Sequence, residues 1–183
     1  MQKLFFLFLF ISSFAQAQII PQGFLVGKVQ RAIGDAYQGG KIAYIFSSGD
    51  GQTHGLIAAV ADVSSSAQWG CYGSTVSGAD GVVIGTGNQN TIDINMAGCS
   101  SGSAASLCAN LVEGGYSDWY LPSLEELKIM FLNKSAIGGF AAADYWSSSE
   151  YNASNAYYVG FNYGGYDGRY KYYTYRVRAV RSF

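Results

Sequence analysis

Gly114-Gly115-Tyr116-Ser117-Asp118-Trp119-Tyr120-Leu121-Pro122-Ser123-Leu124-Glu125-Glu126-Leu127 is the stretch whose reading decides the fold. Ser123 followed three residues later by Glu126 is a capping box. The serine hydroxyl accepts from the third residue's N–H, and the glutamate reaches back to the serine N–H. Leu124, Leu127, Met130 and Phe131 then place one apolar stripe on the helix that follows. Upstream, Gly114-Gly115 ends an earlier helix, predicted from a Ser103 cap to about Glu113. Two helices therefore occupy the middle of the chain.

On either side the pattern is β. Lys41 to Phe46 and Leu56 to Val60 are strand-like runs around the turn residues Ser48-Gly49-Asp50-Gly51, so residues 41–60 read as a hairpin. Residues 62–103 are Gly- and Ser-rich and read mostly as loop, a length that is usually functional or held by a crosslink. After Phe140, Tyr157–Phe161 and Tyr172–Val180 read as strands separated by Tyr163-Gly164-Gly165. Strands, two helices, then strands make an α+β domain, with the chain ends meeting in one antiparallel sheet.

The first residues read as an export signal: Lys3, an apolar run from Leu4 to Ile11, and Ala15-Gln16-Ala17 as a cleavage site. The expected organisation is a signal peptide over 1–17, a lead segment over 18–38, and one domain over 39–183. The apolar run is too short to span a bilayer, so no membrane insertion of the processed chain is expected. A secreted or cell-surface location follows.

The formal net charge is −1, with 11 basic and 12 acidic residues, which gives no electrostatic reason to expect nucleic acid. Charged residues are 13% and aromatics 16%, so the polar surface must come from Ser, Asn, Gln, Gly and tyrosine hydroxyls. Three cysteines in an oxidising compartment leave one over if a pair forms. Ala105, Cys108, Leu111 and Val112 share a helix face, making Cys108 a buried small hydrophobe. Cys71 and Cys99 lie in adaptable loops and form the expected disulfide, with Cys99–Cys108 the alternative.

Catalytic and metal chemistry is poorly supported. His54 is the single histidine and reads as a hydrogen-bonded loop residue. No metal ligand set, cofactor or catalytic residue is expected. The one enzymatic alternative is a glycan-acting pair, Glu150 and Asp167, near Trp146 and many tyrosines. Arg176, Arg178 and Arg181 could meet an acidic glycan. Alternatively they stack on aromatics or pair with Asp118 and Glu150 to hold the last strand, the reading preferred for Arg176 and Arg178.

Ten of the 15 tyrosines fall between Tyr145 and Tyr175. Each buried phenol needs a hydrogen-bond partner, so such density is hard to place in a core. Exposed tyrosine offers contact area at small entropic cost, and Tyr with Ser, Gly and Asn is the residue mix of antibody loops. The candidate ligand-binding residues are Tyr151, Asn152, Ser154, Asn155, Tyr157, Tyr158, Asn162, Tyr163, Tyr166, Asp167, Arg169, Tyr170, Tyr172, Tyr173 and Tyr175. The expected partner is a surface protein or a glycan. A structural pilus-tip subunit is a further alternative.

Gly114–Ser123, Glu126-Leu127, Tyr145–Glu150 and Arg176–Arg181, together with His54–Ala59 and Trp69–Gly73, resemble the Lcl C-terminal domain family, from about Gly39 to the end. The resemblance implies a C-type-lectin-like fold in a secreted or surface protein; the namesake member is an adhesin that binds sulfated glycans. This chain lacks the Glu-Pro-Asn and Trp-Asn-Asp calcium motifs of sugar-binding C-type lectins. Residues 152–181 also resemble the variable region of target proteins of diversity-generating retroelements. In those proteins adenine mutagenesis turns Asn codons into Tyr, Ser, Asp and Gly codons on a ligand-facing surface. That resemblance implies varied residues at the tyrosine-rich positions and fixed ones at Phe161, Lys171, Thr174 and Val177. Tyr145 and Trp146 belong to the scaffold motif.

Overall fold

The computed structural model describes residues 30–183; the signal-peptide cleavage site and most of the lead segment lie outside the described residues. The elements run β1 (Ala36–Tyr37), β2 (Gly40–Ser47), β3 (Thr53–Ala58), β4 (Ser64–Gln68), α1 (Gly87–Met96), α2 (Ala104–Ala109), α3 (Leu124–Leu132), α4 (Lys134–Ile137), β5 (Asp144–Glu150), β6 (Asn155–Gly160), β7 (Tyr166–Tyr170), β8 (Thr174–Val177) and β9 (Val180–Ser182).

The expected hairpin is β2–β3, antiparallel with a bulge between Ile42 and Tyr44. β9 pairs with β3, matching Ile57 to Arg181, so the two ends of the domain close one sheet in the order β1-β2-β3-β9. The second sheet runs β4-β8-β5-β6-β7, with β5 and β8 joined in parallel at Tyr145 and Arg176. The α+β class stands, and the arrangement is consistent with a C-type-lectin-like fold.

The capping box forms as the sequence dictates. Ser123 Oγ accepts from Glu126 N–H, and Glu126 Oε2 accepts from Ser123 N–H at 2.8 Å. Glu126 also accepts from Gly85 N–H, so a fully buried carboxylate ties α3 to a distant loop. Burial raises its pKa, and the backbone donors oppose that rise. Leu124, Leu127 and Met130 bury the stripe against Tyr120, Tyr145, Val159 and Phe161. A second apolar cluster gathers Trp69, Trp119 and Trp146 with Ile94 and Cys108.

Three expectations need correction. Residues 62–103 are not mostly loop: they hold β4 and the ten-residue α1. That helix buries polar side chains, Asn90 on Gly81 O and Ser148 Oγ and Thr91 on Gly87 O, so apolar periodicity does not reveal it. The Ser103-capped helix stops at Ala109 rather than Glu113, because Glu113 and Tyr116 exchange backbone bonds in a turn. The run 172–180 is two strands in different sheets, β8 and β9, not one.

Cys71 and Cys99 are bridged, with Cα atoms 5.0 Å apart, and Cys108 is a buried free thiol. Burial pushes the Cys108 thiol well above its ordinary pKa. Closing a loop of sequence separation 28 stabilises the fold by about 3–4 kcal/mol in the chain-entropy account. That loop carries Tyr72.

Candidate functional site

The site begins with a lysine. Lys171 follows β7, and its side chain turns inward while the neighbouring tyrosines turn outward. Its Nζ donates to Glu150 Oε1 at 2.5 Å and to Ser74 O at 2.8 Å, and it lies 4.6 Å from the Trp69 ring. Glu150 Oε1 also accepts from Val76 N–H at 2.9 Å. Burial pulls the Lys171 ammonium below its ordinary pKa, and the Glu150 carboxylate pulls the other way. The Lys171 backbone donates to Ser154 O and accepts from Trp69 N–H. One residue thus pins β7, the loop after β5 and the disulfide-bearing loop together.

On this anchor sits a cluster of tyrosine rings. Tyr170 and Tyr172 stack at 5.3 Å, and Tyr173 meets both edge-on. Tyr72 contributes a fourth ring, 4.8 Å from Tyr172. Tyr72, Tyr170, Tyr172 and Tyr173 are all exposed, between 42% and 52%. Each ring is held by another ring, so a ligand would meet a surface already ordered. The turn beneath is closed by Tyr173 N–H donating to Tyr170 O. Asn155, Gly168, Arg169, Tyr170 and Tyr173 line a shallow depression of about 240 Å³ beside it.

The fifteen expected residues do not form one surface. The pleat of β6 and β7 divides them, since facing residues share a side: Tyr157 with Gly168, Val159 with Tyr166, Tyr158 with Asp167. On the α3 side lie Tyr151, Tyr157 and Tyr166, with Lys128 Nζ 4.5 Å from the Tyr166 ring. On the opposite side lie Tyr158, Tyr163, Arg169 and Tyr175. Asn162 and Tyr175 border a second depression of about 310 Å³ with Asp144 and Arg176.

Glycines seat two of the exposed rings. A side chain at Gly168 would meet the Tyr151 ring at 2.8 Å, and side chains at Gly160 and Gly165 would meet Tyr163 at 2.4 and 2.2 Å. Tyr163 also shares a 3.0 Å bond with the Tyr158 hydroxyl, which pushes its pKa up to about 12. Burial raises Tyr157, Tyr172 and Tyr175 as well.

Several expected contacts belong to the frame instead. Tyr158 is only 3% exposed: it faces Trp146 across β5–β6 and packs on Tyr175. Tyr175 is half-buried, 4.5 Å from Trp146. Asn152 is exposed, but its Oδ1 accepts from Ser154 N–H and Asn155 N–H and shapes the loop. Ser154 and Asn155 are half-buried in that loop. Asp167 is exposed, and Oδ1 accepts from the next N–H, that of Gly168.

The expected pair is not brought together: Glu150 is buried against Lys171, whereas Asp167 stands in solvent. Nor does Glu150 pair with an arginine. Arg176 and Arg178 share Asp62, and Arg181 grips Asp118 through both carboxylate oxygens at 2.7 and 2.8 Å. Arg178 lies over Phe140 and Arg181 over Tyr116. His54 is on β3 and bonded to Asp50 at 2.7 Å, which holds the Asp50 carboxyl down at about 2. Among the described residues no group of three or more His, Cys, Asp or Glu could hold a metal. Among the same residues no helix is long and apolar enough to cross a membrane.

Tyr72 is the member of the ring cluster that sequence reasoning missed. It lies well before the tyrosine-rich segment that begins at Tyr145, and only the Cys71–Cys99 bridge beside it hinted at a fixed loop.

The motifs that fix this frame, from His54–Ala59 through Trp146 to Arg181, lie within or against residues 58–181, which match the model of the Lcl C-terminal domain. No protein among the curated ones compared matches the chain. The match covers well over half of the sequence, and the chain belongs to the Lcl C-terminal domain family.

Proposed function

We propose that the protein is a secreted or surface-exposed recognition protein that binds its ligand through the tyrosine cluster Tyr72, Tyr170, Tyr172 and Tyr173. The observation that carries this reading is the contrast between the two sides of one turn. Exposed, mutually packed phenols lie above it, and a buried Lys171–Glu150 ion pair lies beneath. Tyrosine on an ordered base gives a large amphipathic contact with little entropy left to lose on binding.

The ligand class is a surface protein or a glycan. Ring faces suit the C–H faces of sugars, and the neutral phenols suit hydroxyl or amide partners equally well. The four cluster rings pack on one another, and Tyr151 and Tyr163 rest on glycines, so these side chains lie outside the buried frame. This supports a segment that varies in the manner of retroelement targets. No catalytic step is part of the proposal. A glycan and cell-surface-protein binding screen with the purified protein, repeated with Tyr170, Tyr172 and Tyr173 replaced together by alanine, tests it. Binding lost while the fold persists is the expected outcome.

A further inference from the structure

β7 is the last strand of its sheet, and its outer edge carries no partner strand among the described residues. The bonds that flank the β6–β7 ladder, Gly160 N–H to Gly165 O and Lys171 N–H to Ser154 O, fix its phase. In an antiparallel ladder, bonded and non-bonded pairs alternate. Residues 165, 167, 169 and 171 therefore turn their backbone groups toward β6, and Tyr166, Gly168 and Tyr170 turn theirs outward. Sheets usually blunt such an edge with charged side chains, a bulge or a proline. β7 has neither bulge nor proline in Tyr166–Tyr170, its two charges, Asp167 and Arg169, are of opposite sign, and its register against β6 is unbroken, whereas β4–β8 and β5–β6 both carry irregularities.

The sequence of that edge is Tyr166-Asp167-Gly168-Arg169-Tyr170, which is complementary to itself when reversed. We infer that β7 pairs antiparallel with β7 of a second copy of this chain, about a two-fold axis at Gly168. Gly168 then faces Gly168, Tyr166 faces Tyr170, and Asp167 faces Arg169. The phase agrees, because the residues that turn outward on one copy meet the residues that turn outward on the other. The two Gly168 residues exchange N–H and C=O bonds, and Tyr170 N–H donates to Tyr166 O of the second copy, in both directions by symmetry. Tyr170 O already accepts from Tyr173 N–H within the turn, so it is not counted on.

The Asp167–Arg169 pairs fall at the non-bonded positions, where facing side chains stand closest. In the single chain Asp167 Oδ1 covers Gly168 N–H at 2.8 Å, and pairing exchanges that contact for the opposite backbone and for Arg169. The two exposed charges of the strand are therefore matched by the second copy. Each copy offers the same patch, as a closed two-fold dimer requires. Tyr170 belongs to both surfaces, through its backbone here and its ring in the cluster, whereas Tyr72, Tyr172 and Tyr173 take no part; the charge-swap test below reads only the pairing.

A contact this small should be weak, with a dissociation constant on the order of 10–100 μM. Sedimentation equilibrium of the purified protein tests it. The parent should form dimers in that range. Asp167→Arg or Arg169→Asp should each weaken association roughly tenfold or more, since like charges then face each other twice. The double variant D167R/R169D should restore it, and an equimolar mixture of the two single variants should form mixed dimers. Far-ultraviolet circular dichroism checks that every variant is folded. A parent that stays monomeric at about 1 mM, single variants that associate like the parent, or a mixture that stays monomeric would each overturn the pairing.

Discussion

Lys171 Nζ lies 2.5 Å from Glu150 Oε1, with the two side chains 0% and 4% exposed, directly below a turn whose tyrosines are open to solvent. A buried ion pair is costly to form and costlier to break from one side, because the remaining charge is stranded. Lys171→Met should destabilise the protein by about 3–5 kcal/mol in urea unfolding. Replacing Glu150 by Met as well should recover much of that loss. If Lys171→Met unfolds like the parent, the lysine does not anchor the turn.

The Tyr158–Tyr163 hydroxyl bond keeps the Tyr163 phenol neutral and raises it to about 12. Tyr158→Phe removes the bond, so Tyr163 should titrate lower, nearer its ordinary value, as read by tyrosinate absorbance. The linkage sign follows. A phenol raised in the fold holds its proton longer than in the unfolded chain, so the fold loses stability as pH climbs from about 10 upward. Tyr158→Phe should flatten that alkaline slope, and an unchanged slope would contradict the assignment.

Arg181 holds the Asp118 carboxyl below its ordinary value through two hydrogen bonds. A depressed carboxyl adds stability that is complete above the unfolded value, about 3.9, and is lost as pH falls through the folded value. Arg181→Gln should raise the Asp118 pKa, measured by carbon-detected NMR titration. It should also move the acid unfolding limb to higher pH. A limb that does not move would show that the pair holds no stability.

The legible parts of the fold are those written in local chemistry. α3 announces itself through Ser123 and Glu126, because a capping box is a sequence-local device. The β2–β3 hairpin follows from two β-rich runs around a Gly-Asp-Gly turn. α1 does not announce itself: Thr86 makes no side-chain cap, and buried Asn90 and Thr91 stand where an apolar stripe would be expected.

For the candidate site, tyrosine density marks a segment of the chain but not which side of the sheet each ring takes. Which tyrosines face solvent depends on the β6–β7 register and on the inward turn of Lys171, both set by tertiary pairing. Tyr158 enters the core for that reason, and Tyr72 joins the cluster only through a loop pinned by the disulfide.

The most direct measurement is the affinity of the ligand found by screening, titrated against the parent and against the triple alanine variant of Tyr170, Tyr172 and Tyr173. If these rings are the contact surface, each behaving as a buried anchor, affinity should fall at least about 30-fold. The urea midpoint should stay close to the parent's. Equal affinity in a folded triple variant would contradict the assignment of the binding surface.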